Sequence, residues 1–152
     1  MTRTSDNAPE RTSDEAAPAT GPKREEPSQQ TALATRRVFV VDADTALIGL
    51  LDEWLAGEDC VVVDERTDGG AAKERYDLVI VDVPFPREGG ADLLRRIARD
   101  HPATPVLALS SAFFGGIGCR GPIARALGVT CVLPKPASRE ALTRVVRELL
   151  SR

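Results

Sequence analysis

Leu78-Val79-Ile80-Val81-Asp82 is the stretch on which the fold is decided. Four aliphatic residues run without a polar interruption, and the run stops on a carboxylate. An uninterrupted run of this length reads as a strand covered on both faces rather than one. The same grammar recurs upstream in Arg37-Val38-Phe39-Val40-Val41-Asp42, and downstream in Val106-Leu107-Ala108-Leu109-Ser110, which ends on a hydroxyl. Cys60-Val61-Val62-Val63 and Val129 to Leu133 are two shorter runs of the same kind. Helical segments separate them. Asp44 and Thr45 can cap a helix whose apolar face is Leu47, Leu50, Leu51, Trp54 and Leu55, with Gly57 as its stop. Thr67 to Arg75 predicts a weak helix, thinned by Gly69 and Gly70. Ala91 to Asp100 predicts a third, with Leu93, Leu94 and Ile97 inward; Pro122 to Leu127 a short fourth, with proline at its first position; Ser138 to Leu150 an amphipathic fifth. Strands alternating with helices imply an α/β fold: a doubly wound, five-stranded parallel sheet with helices on both faces.

Composition bounds what such a domain does. The 152 residues carry 20 Lys and Arg against 23 Asp and Glu, a net charge of −3. A net acidic chain argues against direct, non-specific DNA binding, which depends on neutralising phosphates. No apolar run approaches the ~18 residues of a membrane span. The first 32 residues lack Val, Ile, Leu, Phe, Trp and Tyr, so no secretory signal is expected and the location is read as cytoplasmic. Residues 1–34 hold four prolines and net −2, and are expected to be a disordered tail; residues 35–152, at net −1, hold the fold. Cys60, Cys119 and Cys131 have no metal-ligand spacing and read as reduced thiols, with Cys60 and Cys131 as small buried hydrophobes. The only histidine, His101, reads as an exposed helix cap, which argues against a histidine-dependent active site.

In doubly wound sheets the functional crevice lies outside the carboxyl ends of the strands. There the chain places Asp42 and Asp44 after the first strand, Asp82 at the third, Ser110 and Ser111 at the fourth, and Lys135 just beyond the fifth. Single strand-end acids often serve only as helix caps. As a set, clustered carboxylates invite a hard divalent cation such as Mg²⁺. A nearby ammonium and hydroxyl suit a phosphoryl group attached to a carboxylate nucleophile.

The same residues resemble the receiver domain of bacterial response regulators, over about residues 36–150. Val-Val-Asp-Ala-Asp (40–44) is similar to that family's acidic cluster, and Tyr-Asp-Leu-Val-Ile-Val-Asp (76–82), with Pro86 and Gly90, to its phosphoacceptor strand and loop. Ala-Asp-Leu-Leu-Arg-Arg-Ile (91–97), Thr-Pro-Val-Leu-Ala-Leu-Ser-Ser (104–111), Ala-Leu-Gly-Val (126–129) and Leu-Pro-Lys-Pro (133–136) follow in the family's order. The resemblance implies a flavodoxin-like (βα)5 fold with strand order 2-1-3-4-5. It implies that Asp82 is the phosphoacceptor, and that Asp42, Asp82 and the backbone carbonyl of Pro84 hold Mg²⁺, with Asp44 a further candidate ligand. Ser110 and Lys135 would bind the phosphoryl group, and the bond before Pro136 is a candidate cis bond. The implied phosphodonor is a histidine kinase or phosphotransfer protein. Because the chain ends soon after the last helix, output is expected through a downstream protein effector rather than an attached domain, in a signalling module rather than an enzyme.

Three positions depart from the family's pattern. Ala43 stands where the second, metal-binding acid is usual, which predicts weakened Mg²⁺ binding. Val132 stands where an aromatic is usual. Residues 113–121, with four glycines and two phenylalanines, replace a usually polar helix start; Phe113 and Phe114 read as core or as an exposed contact patch. Two other readings follow. One keeps the fold as a phosphorylation-independent pseudo-receiver that binds a partner. The other takes Asp42-Ala43-Asp44 as the Asp-x-Asp of a haloacid-dehalogenase-type phosphohydrolase, but leaves Asp82 without a role and finds no acidic pair after Lys135 at a strand end.

Overall fold

A computed structural model of the chain describes residues 34–69, 75–83, 89–113 and 118–151. The expected tail, the Pro84 carbonyl, Pro86 and Phe114 lie outside them. Five strands, β1 (Arg36–Val41), β2 (Cys60–Asp64), β3 (Leu78–Asp82), β4 (Val106–Ser110) and β5 (Cys131–Pro134), form one sheet. All pairs are parallel and the order is β2-β1-β3-β4-β5. Four α-helices are described: α1 (Thr45–Leu55), α2 (Gly90–Asp100), α3 (Pro122–Leu127) and α4 (Arg139–Leu150). The doubly wound, flavodoxin-like arrangement is the one expected.

Strand periodicity divides the core in two. Val38, Val40, Leu78, Ile80, Leu107 and Leu109 face one side, where Leu51 and Leu55 of α1 and Leu142, Val146 and Leu149 of α4 meet them. Val79, Val81, Val106, Ala108 and Val132 face the other, against Leu94 and Ile97 of α2 and Ala124 of α3. β3 and β4 are buried at every residue, which explains why they read as continuous apolar runs. Phe113 packs against the second core, so for this phenylalanine the core reading holds. Trp54 is half-buried against the first.

The structure corrects several local expectations. Of the helix expected over Thr67 to Arg75, only Thr67, Asp68, Gly69 and Arg75 are described, and none of these is helical. Asp64 instead organises a turn: its backbone carbonyl accepts from the amides of Thr67 and Asp68, and its carboxylate accepts from the Arg66 amide and guanidinium. Gly69 then takes a positive φ of 61°, and residues 70–74 lie outside the description. Gly57 does not stop α1, which tightens into a 3-10 turn over Ala56–Glu58; Asp59, at φ 53°, is the left-handed residue that leads into β2. His101 is the C-cap residue of α2, but it is only half-exposed: its ring lies 5.7 Å from that of Tyr76, which stacks on Phe39 at 4.4 Å.

The thiols also need correction. Cys60 is free and buried, as expected. Cys119 and Cys131 are not separate thiols: they are joined as a disulfide, with Cα atoms 4.7 Å apart. They lie twelve positions apart in sequence, and nothing in that spacing shows the cause. The Val132 amide donates to the Cys119 carbonyl at 2.9 Å and draws residue 119 alongside β5.

Candidate functional site at the carboxyl ends of the strands

Register assembles the site. Val41 pairs with Val81, so Asp42 and Asp82 stand at the same level on adjacent strands. Asp82 pairs with Leu109, one residue before Ser110, and Ser110 pairs with Pro134, one residue before Lys135. The ladder continues past these ends: Val83 N–H donates to the Leu109 carbonyl at 2.8 Å, and Lys135 N–H to the Ser110 carbonyl at 3.0 Å. Asp82, Ser110 and Lys135 therefore leave from hydrogen-bonded strand ends rather than from a free loop.

Asp82 is buried, 7% exposed, and its Oδ1 receives Lys135 Nζ at 2.6 Å. A buried carboxylate without a cation is costly; here the lysine, reaching across from beyond β5, supplies it. The bond after Lys135 is cis, so the candidate at Pro136 is met. Ser110 is 2% exposed, and its Oγ accepts from the Ala112 amide at 3.1 Å, leaving its own proton to donate. Gly90 opens α2 against the end of β3: a side chain there would come within 3.0 Å of Val83 Cγ1.

The acids after β1 divide. Asp42 is exposed and takes φ 58°, a conformation that aspartate tolerates better than most residues. Its amide donates to Glu65 Oε2 at 3.3 Å. Asp44 serves as the N-cap of α1: its Oδ1 accepts from the Leu47 amide at 2.7 Å. Ala43 between them is buried. The expected gathering of three carboxylates is therefore not met, since among the described residues no three His, Cys, Asp or Glu side chains converge on a metal-sized site. What remains for Mg²⁺ is a pair of hard oxygen donors, Asp42 and Asp82, at adjacent strand ends. That pair fits a weakly held ion that keeps most of its water.

Two residues were missed by the sequence reading. Glu65, directly after β2, and Arg96, on α2, line a cavity of about 330 Å³ beside Asp42, Gly89 and Gly90. Glu65 had a legible signal, since it too follows a strand end. Arg96 had none, because its place depends on how α2 seats. A cavity of about 520 Å³ between Arg36, Tyr76, Asp77 and Thr104 lies at the opposite, amino ends of the strands.

Comparison with known proteins agrees with this geometry. The family described as "Response regulator receiver domain" matches residues 38–147. Transcriptional regulatory protein CpxR of Escherichia coli (strain K12) is 31% identical over 120 residues, covering 76% of this chain and 50% of that protein. Transcriptional regulatory protein PdtaR of Mycobacterium tuberculosis is 35% identical over 127 residues, covering 80% of this chain and 60% of that protein. The chain thus spans roughly half the length of these curated relatives. A response regulator from Thermotoga maritima, solved by crystallography, superposes with a TM-score of 0.63 at 27% identity, over 78% of this chain and 99% of that one.

Proposed function

The chain belongs to the response regulator receiver family, and on that premise we propose that it accepts a phosphoryl group on Asp82 from a phosphohistidine of a histidine kinase or phosphotransfer protein. The Lys135–Asp82 pair carries this reading. A buried carboxylate, held at a strand end with an ammonium on one oxygen, still offers its other oxygen to an incoming phosphorus. Asp82 Oδ attacks, the imidazole nitrogen of the donor leaves with the bonding pair, and the product is an acyl phosphate. Lys135 then bears on the phosphoryl oxygens, and Ser110 donates to another. Mg²⁺, held by Asp42, Asp82 and the Pro84 carbonyl, would offset the charge that accumulates between carboxylate and phosphate. The domain acts as a signalling module in two-component phosphorelay, and its output passes through contact with another protein. No helix among the described residues is long and apolar enough to cross a membrane.

A second reading is favoured by one observation: Asp44 caps α1 and Ala43 is buried, so the metal set is short of a carboxylate. In that reading the domain binds its partner without phosphorylation. The haloacid-dehalogenase-type reading has no such support, since its own scheme leaves Asp82, the lysine's partner, idle.

Incubation with acetyl phosphate or a phosphohistidine donor in Mg²⁺, followed by intact mass, separates the two. A phosphoryl mass gain lost in Asp82→Asn supports phosphotransfer. No gain on the wild type at any Mg²⁺ concentration leaves the binding module.

A further inference from the structure

β5 is the edge strand of the sheet beyond β4, and its outer side is not bare. Gly118–Gly121 passes along it as a strap. The Val132 amide donates to the Cys119 carbonyl at 2.9 Å, and the strap closes on itself through Gly121 N–H to the Gly118 carbonyl at 2.9 Å. Arg120 reaches Glu148 of α4 at 3.8 Å. Cys119 is bonded to Cys131, the first residue of β5. Cys131 is fully buried in the core, whereas Cys119 is only half-buried. Cys119 is therefore the residue at which a small reagent enters, while Cys131 meets only its partner.

From this arrangement we propose that Cys119 and Cys131 form a redox-modified site, whose disulfide locks the Gly118–Gly121 strap over the edge of β5 and whose reduction releases it. The chemistry balances with hydrogen peroxide as oxidant. The Cys119 thiolate attacks one peroxide oxygen and the O–O bond breaks, giving a sulfenic acid and hydroxide, which takes a proton from solvent to become water; the Cys131 thiol then displaces the sulfenic oxygen as a second water and the S–S bond forms. A dithiol reverses it by exchange, entering at the accessible Cys119 sulfur and leaving as its own disulfide. A bond that opens and closes is also the usual form for a disulfide in a reducing compartment. The strap holds one backbone group of β5 directly, the Val132 amide, and an edge strand that loses such cover can pair with another chain. The strap leads into α3, so the lock governs the surface made by α3, β5 and α4. It does so whether or not Asp82 is phosphorylated.

The test uses the full chain, oxidised with hydrogen peroxide or reduced with dithiothreitol, and read by intact mass, thiol alkylation and amide exchange. The oxidised form should be lighter by about 2 Da, with one alkylatable thiol, Cys60, after denaturation. The Val132 amide should exchange about tenfold faster or more in the reduced form, while amides of β3 stay unchanged. Cys119→Ser, at a half-exposed position, should fold and show the fast exchange under both conditions. Cys60→Ser should leave both the mass change and the protection intact. Three alkylatable thiols after peroxide would overturn the site. Equal Val132 exchange in the two forms would overturn the lock.

Discussion

Lys135 Nζ stands 2.6 Å from Asp82 Oδ1, and the two residues come from beyond β5 and from the end of β3, strands separated in the sheet by β4. The lysine thus occupies the place in the charge balance that a divalent ion would share.

Removing that lysine is expected to have two opposite effects. Lys135→Met leaves a carboxylate that is 7% exposed without its cation, and stability in Mg²⁺-free buffer should fall by about 1–3 kcal/mol. Mg²⁺ no longer competes with an ammonium, so its affinity should rise several-fold and saturating Mg²⁺ should return part of the stability. Urea titrations with and without Mg²⁺ check both. A variant that Mg²⁺ does not stabilise would remove Asp82 from the metal site.

Position 43 makes the complementary prediction. Ala43 is buried in the first core between Asp42 and Asp44, at the position where the receiver family usually carries its second metal-binding acid. Ala43→Asp should tighten Mg²⁺ about tenfold or more, because another hard donor replaces a water. Without metal, the same substitution should lower stability, since like charges gather in a partly buried place. Calorimetric Mg²⁺ titration and thermal unfolding in chelator measure the two arms. If phosphoryl transfer is limited by the short metal set, this variant should also incorporate phosphate faster than the wild type.

Much of this was legible in sequence because burial on both faces leaves little choice of residue. β3 and β4 read as strands since every one of their residues is buried, and their terminal Asp82 and Ser110 followed from where the apolar runs stop. Illegible parts depended on contacts distant in sequence. The Cys119–Cys131 bond rests on a backbone bond from Val132, and Arg96 reaches the Asp42 cavity only through the seating of α2. Asp44 failed in the opposite way. Its capping role was read correctly, yet a side chain whose oxygen accepts the Leu47 amide is held at the helix rather than swung toward Asp82. Of the helix expected from Thr67, the described Thr67–Gly69 form a turn, in which the Asp64 carbonyl accepts from the Thr67 and Asp68 amides and its carboxylate from the Arg66 amide.

Acid should loosen the domain at the far end of the sheet first. Glu58, after α1, forms a two-pronged ion pair with Arg147 of α4. The Arg147 guanidinium holds the Glu58 carboxyl below its ordinary value of 4.5. A depressed carboxylate contributes stability above its unfolded pKa and loses that contribution as pH falls through the folded value. The wild type should therefore exceed Glu58→Gln in Tm at pH 7. The gap should close on acidification below about 4.5, and should narrow in high salt because Arg147 is exposed. Thermal scans of both proteins across pH and ionic strength test it; a gap that persists at pH 3 would assign the effect to packing instead.

Gly128 ends α3 three positions before the strand that carries Lys135 outward, and it fixes the turn between them. Its φ is 71° and ψ is 25°, and its amide is held by the carbonyls of Ala124 and Arg125. The following amide, Val129 N–H, also donates to Ala124 at 3.0 Å, so the turn closes two carbonyls of the last helical turn. A Cβ at this position would meet nothing within 4 Å, which leaves backbone conformation as the sole cost of substitution. Gly128→Ala should therefore lower the unfolding free energy by about 1–2 kcal/mol, with no cavity or clash to add to it. Gly128→Asn should lose less, because asparagine visits the left-handed region more readily. Urea midpoints should shift in that order with an unchanged m value, which would place the effect in the folded turn rather than in the compactness of the unfolded chain. An alanine variant as stable as the wild type would mean that the turn into β5 relaxes to a negative φ.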